Sequence, residues 1–157
     1  MIARLAHRMT PCLLLLGALV AATAPAFSEP ISRNVRIVIQ RLPDEAVKCG
    51  LTETSVHDRV ESVLKTDGWT IETSPAADYI YVNANLFFVL VDTHCVYSAS
   101  IELRRWLQAA DGRRMIAATA ESGRLGIIAR GKSSTVILED IEELLKGVIA
   151  RAKAEGL

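Results

Sequence analysis

The chain has 157 residues, of which 18 are lysine or arginine and 18 are aspartate or glutamate, so its formal net charge is zero. Half of its residues (50%) are hydrophobic, enough for one domain with a substantial core. The balanced charge does not favour nucleic acid or an anionic membrane surface as a partner, because both attract clusters of positive charge.

Residues 1–28 have the layout of a secretory signal peptide. Two arginines precede an uncharged apolar run over residues 12–22, and small residues follow up to Ser28. That run is shorter than the ~20 residues of a comfortable membrane span. We therefore expect cleavage after Ser28, which we prefer, or after Ala26, and a periplasmic or secreted protein without a membrane span. The alternative is an uncleaved N-terminal anchor.

Residues 29–157 are predicted to form a single exported domain, since no internal repeat, low-complexity tract or linker divides them. Their net charge is −2, because residues 1–28 hold two of the basic residues and no acidic one. Two of the three cysteines remain, Cys49 and Cys95. An even number of cysteines in an oxidising compartment predicts a disulfide between them, and two buried free thiols are the alternative.

The first predicted elements are a strand and a helix. Residues 35–42 alternate apolar and polar with a period of two, which is typical of a half-buried strand. Thr52 is a candidate N-terminal cap for the helix that follows, and Gly68 suits its left-handed C-terminal end. The apolar positions of this helix form one stripe and comprise Val56, Val60, Val63 and Leu64.

Four strands follow. A short strand over residues 69–73 precedes a long one over 79–91, with one wholly apolar and one amphipathic face. Residues 95–108 form its partner, and an Asp-Gly pair at 111–112 is a hairpin signal leading into a strand over 114–127. The last three strands therefore predict an antiparallel meander. Its expected inward positions comprise Ile80, Val82, Ala84, Leu86, Phe88, Leu90, Tyr97, Ala99, Ile101 and Leu103.

A long helix is predicted to end the chain, capped by Ser133 or Ser134. Acidic residues lie early and basic residues late, which complements the helix dipole. Its apolar stripe comprises Ile137, Ile141, Leu144, Leu145, Val148 and Ala152. The predicted fold class is therefore α+β, in the order β-α-β-β-β-β-α. Two helices pack on one face of a mainly antiparallel sheet of four to five strands.

The predicted disulfide constrains this topology. Cys49 lies in the loop after the first strand, and Cys95 begins the strand after the turn at residues 92–94. Bonded cysteines need Cα atoms within ~7 Å. The first strand and the long strand must then run parallel and end on the same side of the sheet, or the loop over 43–50 must reach back across an edge. A simple up-and-down arrangement would forbid the bond.

One sequence motif matches a phosphate-binding loop. Residues 126–133 fit the pattern G-x-x-x-x-G-K-[ST]. We reject this interpretation because one helix occupies nearly all of the chain after Ser133, which leaves no room for further parallel strands. Ile127 and Ile128 also favour a strand over a loop. Gly131 is instead expected to end that strand.

The turn into the second long strand holds the best candidates for chemistry. Asp92, His94 and Cys95 are metal-ligand types, and His57 is the other histidine outside residues 1–28. A structural zinc site needs four such ligands, so we predict no metal and no cofactor.

Asp92 and His94 also suit nucleophile–base catalysis, but no Gly-x-Ser-x-Gly elbow accompanies them, and we predict no catalytic residues. The alternative function is a small periplasmic hydrolase or ligand-binding protein using Asp92 and His94 at the hairpin rim.

The amphipathic face of the long strand is unusually apolar for a solvent-facing stripe. The candidate interaction face comprises Tyr79, Tyr81, Phe87, Val89 and Val91. Val96 and Trp106 extend it if they share that face. Cover by a loop or by the mature N-terminus is the alternative. The predicted function is a periplasmic, non-enzymatic interaction or assembly domain that binds an envelope protein or itself through the sheet face or an edge strand.

Several short motifs carry a resemblance. Residues 49–52, residues 78–82, and residues 95–98 with Glu102 resemble a group of short exported proteins of unknown function from Gram-negative bacteria. This resemblance implies a periplasmic address and no known activity. The order of elements is also similar to the curli-secretion lipoprotein family and to the N-terminal domain of the Tol-system propeller protein, which are assembly and interaction modules of the cell envelope. The chain departs from them in lacking a lipid-attachment cysteine and a propeller, and a shared architecture does not fix a function.

Overall fold

The structure is a computed structural model that describes residues 32–89 and 93–156, apart from the side chains of Phe88 and Val89. The expected signal peptide, residues 1–28, lies outside the described residues, as do residues 90–92. In chain order the elements are β1 (Asn34–Ile39), α1 (Asp44–Lys48), α2 (Glu53–Thr66), β2 (Thr70–Ile71), β3 (Asp78–Val89), β4 (His94–Gln108), β5 (Arg114–Ala129), a 3-10 turn (Arg130–Lys132) and α3 (Ser133–Ala154). No helix in the described part of the chain is long and apolar enough to cross a membrane.

The five strands form one mixed sheet in the order β2-β1-β3-β4-β5. β1 runs parallel to both β2 and β3, whereas β3, β4 and β5 form the predicted antiparallel meander. Helices α2 and α3 contact each other, α2 lies against β1 and β2, and α3 lies against β4 and β5. The predicted α+β class and the helix cover on one face of the sheet are therefore confirmed.

Two local elements differ from the expectation. The segment after Pro43 was expected to be a loop, but residues Asp44–Lys48 form the short helix α1. A turn of helix here buries Ala46 completely and Leu42 almost completely against the core. The predicted strand over residues 69–73 pairs over only Thr70–Ile71. These two residues of β2 pair in parallel with Asn34 and Val35 of β1, so β2 is a short strand at the edge of the sheet.

The core lies between the sheet and the two long helices. All inward positions predicted for the long strand and its partner are buried where their side chains are described, and so is the stripe of α3. Each such aliphatic side chain contributes roughly 1.5–3 kcal/mol when removed from water. The residues that fill this layer without measurable exposure include Val56, Val60, Leu64, Ile80, Val82, Ile101, Leu103, Ile137, Ile141, Leu145 and Val148.

The two long helices begin in different ways. Thr52 caps α2 as predicted, since its hydroxyl accepts from the Ser55 amide at 3.1 Å while the Ser55 hydroxyl accepts from the Thr52 amide. The cap predicted for α3 is wrong. Ser133 is the first helical residue, and its buried hydroxyl donates to the carbonyls of Cys49 and Arg130. Ser133 therefore joins the start of α3 to the end of α1 instead of satisfying the amides of its own helix.

The predicted disulfide between Cys49 and Cys95 is present, with the two Cα atoms 6.2 Å apart. Of the arrangements left open by the sequence, the structure contains the parallel one. Val35 pairs with Asp78 and Ile39 with Val82, so β1 and β3 run in the same direction, and β3 continues to Val89 beyond the end of β1. The chain leaving β1 through α1 then meets the first residues of β4.

A buried polar group joins α3 to the meander. The hydroxyl of Tyr97 on β4 donates to the Asp140 carboxylate on α3, and Arg124 on β5 donates to the same carboxylate. Burial, together with Asp140, raises the pKa of Tyr97 to about 12. Tyr97 therefore stays a neutral hydrogen-bond donor across the physiological pH range. Its ring lies across Gly126, the residue paired with it on β5.

We expect Gly126→Ala to destabilise the domain by about 3 kcal/mol through overpacking. A Cβ atom at Gly126 would lie 2.5 Å from the ring carbon Cζ and the hydroxyl oxygen of Tyr97. The ring would have to leave its site and release Asp140. Gly131→Ala is the matched control, because no heavy atom lies within 4 Å of an added Cβ there. Urea unfolding of both variants measures the difference, and equal midpoints would show that the Tyr97 ring moves freely.

Candidate interaction surface

One face of the sheet is covered by no helix of the described residues, and we call it the open face. Side chains alternate between its two faces, so the residues of β3 between the buried core positions point to this side. The pairing register shows which residues of β4 and β5 lie on the open face beside those of β3. It aligns Tyr79 with Arg104, and Phe87 with Val96, which in turn pairs with Ile127.

One end of the open face carries a group of exposed apolar side chains. Phe87 is 61% exposed, Leu125 is 74% exposed and Ile127 is 68% exposed, while Val96 lies half-buried between Phe87 and Ile127. We call these four residues the apolar patch. Large apolar side chains that adjoin one another on a surface mark sites of contact with other molecules.

The other end of the open face is covered by arginines. The guanidinium of Arg36 lies 5.1 Å from the centre of the Tyr79 ring, and that of Arg104 lies 4.0 Å from the centre of the Tyr81 ring. The Tyr81 hydroxyl donates to the Gln40 side chain at 2.7 Å. Tyr79 is consequently only 8% exposed. These tyrosines are partly shielded by side chains from β1 and β4, an arrangement that stabilises the sheet through cation–π contacts.

Trp106 belongs to the same open face, beyond the tyrosines. It pairs with Ile116 on β5, and the Arg114 guanidinium lies 4.9 Å from the centre of its ring. The Nε1 atom of Trp106 is buried and has no hydrogen-bond partner in the described part of the chain. Val96 and Trp106 thus both share the face, as the sequence analysis allowed, but they lie at opposite ends of it.

The five residues of the predicted interaction face therefore have different surroundings. Tyr79 and Tyr81 are shielded by arginines, and Phe87 is exposed. The side chain of Val89 and all of Val91 lie outside the described residues. Sequence reasoning missed Leu125 and Ile127. They lie two residues apart in β5 and therefore on the same face of that strand, so they could have been found once that face had been assigned.

The apolar patch adjoins an edge of the sheet, because β5 is the last strand in the part of the chain that the structure describes. The Arg130 amide donates to the Thr93 carbonyl at 3.0 Å, just beyond the paired region. Hydrogen-bonded and non-bonded pairs alternate along an antiparallel ladder. Counting back from that bond, the backbone groups that point away from β4 belong to Glu121, Gly123, Leu125, Ile127 and Ala129.

Charged side chains line the helix side of this edge. Arg124 binds Asp140 and also Glu143, at 3.0 Å from the latter, and these hydrogen bonds raise the pKa of its guanidinium. Arg151 on α3 donates to the backbone carbonyl of Glu121. That contact occupies one outward carbonyl at the beginning of the free stretch.

Those of the residues considered for metal or catalytic chemistry that the structure describes do not form one cluster. Asp92 lies outside the described residues, Cys95 is bonded to Cys49, and the His94 ring lies 2.9 Å from the Thr93 hydroxyl. His57 is on α2, where its ligand atoms lie within 4.8 Å of those of two neighbouring carboxylates. The alternative of a hydrolase or ligand-binding protein at the hairpin rim stays a prediction.

The motif that resembles a phosphate-binding loop is not a loop. Its first four residues, 126–129, belong to β5, and the next three form the 3-10 turn before α3. The backbone amides of a strand paired with β4 alternate in direction, so they cannot converge on one phosphate group. The rejection of this motif in the sequence analysis is therefore supported by the local structure.

A cavity of about 450 Å³ lies between α2 and α3 on the side away from the sheet. Its charged lining residues bind one another. Arg59 and Lys146 both bind Glu142, at 2.7 Å and 2.6 Å, and Lys153 binds Asp67 at 2.7 Å. Hydrogen bonds from Lys146 and Arg59 lower the pKa of Glu142. Arg59 thereby joins α2 to α3, Lys153 joins α3 to the residue that follows α2, and the cavity is a groove bounded by the two helices.

Comparison with known proteins gives no family assignment. No family model matches the chain, and no curated protein matches it. Among solved structures, the chain is similar to a minor lipoprotein from Acinetobacter baumannii, with a TM-score of 0.45 and 8% identity over 80% of this chain and 94% of the other. It is also similar to an uncharacterised protein, with a TM-score of 0.35 and 14% identity over 80% of this chain and 91% of the other. Likenesses this distant carry no argument about function.

Proposed function

We propose that this chain is a periplasmic, non-enzymatic interaction domain, which binds an envelope protein or a copy of itself through the apolar patch and the adjoining edge of β5. The observation that carries the proposal is the position of Phe87, Leu125 and Ile127. All three are more than half exposed and lie together on the open face, which no helix within residues 32–89 and 93–156 covers. Leaving such a group in water is unfavourable by about 25 cal/mol per Å² of apolar surface.

An address outside the cytoplasm is the second part of the proposal. The basic, apolar and small-residue order of residues 1–28 is typical of export. The disulfide between Cys49 and Cys95 fits an exported protein, because such bonds persist in oxidising compartments. In a compartment without nucleotide pools, recognition through apolar contacts and backbone hydrogen bonds needs no cofactor.

We expect partner binding to be lost in Phe87→Ser and Ile127→Ser, because each change removes one apolar contact and leaves the core untouched. The measurement is in-cell cross-linking in a bacterial periplasm, with a photoreactive residue placed at position 96. Val47→Ser is the matched control, since Val47 is 67% exposed but lies on α1, away from the patch. Adducts that persist in both patch variants, or that vanish equally in the control, would refute the proposal.

A further inference from the structure

We infer that the edge of β5 pairs with β5 of a second copy of this chain, in antiparallel orientation about a two-fold axis near Leu125 and Gly126. This inference rests on the proposed function and specifies the partner as a second copy of the chain. A strand edge offers a row of backbone donors and acceptors, and any strand can pair antiparallel with its own copy. The question is whether this strand is suited to do so.

The length and regularity of β5 favour such pairing. The register with β4 shifts at Leu103 and Arg104, which leaves Thr119 as an extra residue and marks a bulge. From Ala120 to Ala129 the ladder is regular. This stretch is longer than the strands of five to six residues that are most common in globular proteins.

Edge protection in this stretch is confined to its first half, at Glu121, whose carbonyl accepts from Arg151, and at Arg124. Proteins block exposed edges with lysine, proline or bulges, and residues 120–129 contain no lysine and no proline. Their one cation, Arg124, points to the helix side and is bound to Asp140 and Glu143. The bulge precedes the stretch, and the 3-10 turn beginning at Arg130 follows it.

The outward backbone groups select the position of the axis. An axis at Leu125 places the outward groups of Leu125 opposite their own copies and those of Gly123 opposite Ile127. An axis at Gly126 places Leu125 opposite Ile127. An axis at Arg124 would oppose two guanidinium groups, which is destabilising. An axis nearer the start of the strand would draw the bulge at Thr119 into the pairing.

Pairing about this axis also accounts for the position of the apolar patch. A two-fold axis perpendicular to the sheet keeps both open faces on the same side. Leu125 and Ile127 of one copy then lie beside those of the second copy, and Phe87 flanks them from β3. The two patches become one continuous apolar surface, and its central side chains pack against each other across the new strand pair.

The test is the oligomeric state of the purified, disulfide-bonded protein, measured by light scattering over a range of concentrations. We expect a monomer–dimer equilibrium, which Leu125→Pro shifts toward the monomer by about tenfold to a hundredfold in dissociation constant. Proline at this position removes only an outward amide, and strand edges tolerate it. Leu125→Ala is the control that keeps the amide, so it should weaken the dimer less than proline does.

A second measurement keeps the inference testable if the proline variant fails to fold. In the unsubstituted protein, the outward amides of Gly123, Leu125 and Ile127 should exchange slowly with solvent at high protein concentration and quickly at low concentration. A monomer at every concentration, or a dimer that Leu125→Pro leaves intact, would overturn the inference. The two proposals can fail separately. If the protein is a monomer and Phe87→Ser abolishes its cross-link to an envelope protein, self-pairing is refuted and the proposed function stands.

Discussion

Replacing Leu144 with aspartate should unfold the domain or detach α3 from the sheet. Leu144 is buried in the middle of the apolar stripe that α3 packs against β4 and β5. Removing a buried leucine side chain costs about 2–5 kcal/mol, and an unpaired carboxylate in its place adds a desolvation cost. The expected loss of about 4 kcal/mol or more is a large part of the stability of a small domain.

Ala150→Asp is the matched control for this experiment. It introduces the same side chain on the same helix, but Ala150 is exposed to solvent. Thermal unfolding followed by circular dichroism should show a large fall in melting temperature for Leu144→Asp and a small change for Ala150→Asp. Equal melting temperatures would mean that α3 is not docked on the sheet.

Removing the disulfide should cost about 4 kcal/mol. The sequence separation of 46 between Cys49 and Cys95 corresponds to about 4 kcal/mol of lost chain entropy in the unfolded state, according to the loop-closure relation. The double variant Cys49→Ala, Cys95→Ala should therefore unfold at much lower urea concentration. Thiol titration of denatured, unreduced protein should find neither of these two cysteines free.

Comparing three forms separates the covalent link from packing. Both sulfur atoms lie in the core, since Cys49 and Cys95 are buried. The difference between the oxidised and the reduced protein measures the link alone, and the difference between the reduced protein and the alanine variant measures the loss of buried sulfur. Equal stability of the oxidised and reduced forms would contradict the expected effect. Two free thiols in the titration of the unreduced protein would show that the bond is absent.

The sequence predicted most of the fold because its patterns are local. Alternation from Ile80 to Leu86 identified the buried face of β3, and the spacing from Val56 to Leu64 identified that of α2. The disulfide supplied the one long-range constraint, which allowed the parallel pairing of β1 and β3. Helix α1 escaped prediction because five residues are too few to show a helical period, and the packing of Ala46 stabilises it.

The candidate surface was predictable only in part, because it depends on which strands are neighbours. The alternation of β3 placed Tyr79, Tyr81 and Phe87 on one face. That Arg36 and Arg104 shield the two tyrosines follows from the register of β1 and β4 against β3. The position of β5 at an edge is likewise a property of the whole sheet, and no local signal marks it.

The link between Cys49 and Cys95 has a consequence for the timing of oxidation. The meander strands are consecutive in the chain, whereas pairing of β1 with β3 closes a stretch of about 40 residues and is entropically slower. Only that late step brings Cys49 to Cys95. Once it is complete, both cysteines are buried. We therefore expect oxidation to be fast while the core is still open, and a reduced chain that has already folded to react slowly with a thiol oxidant.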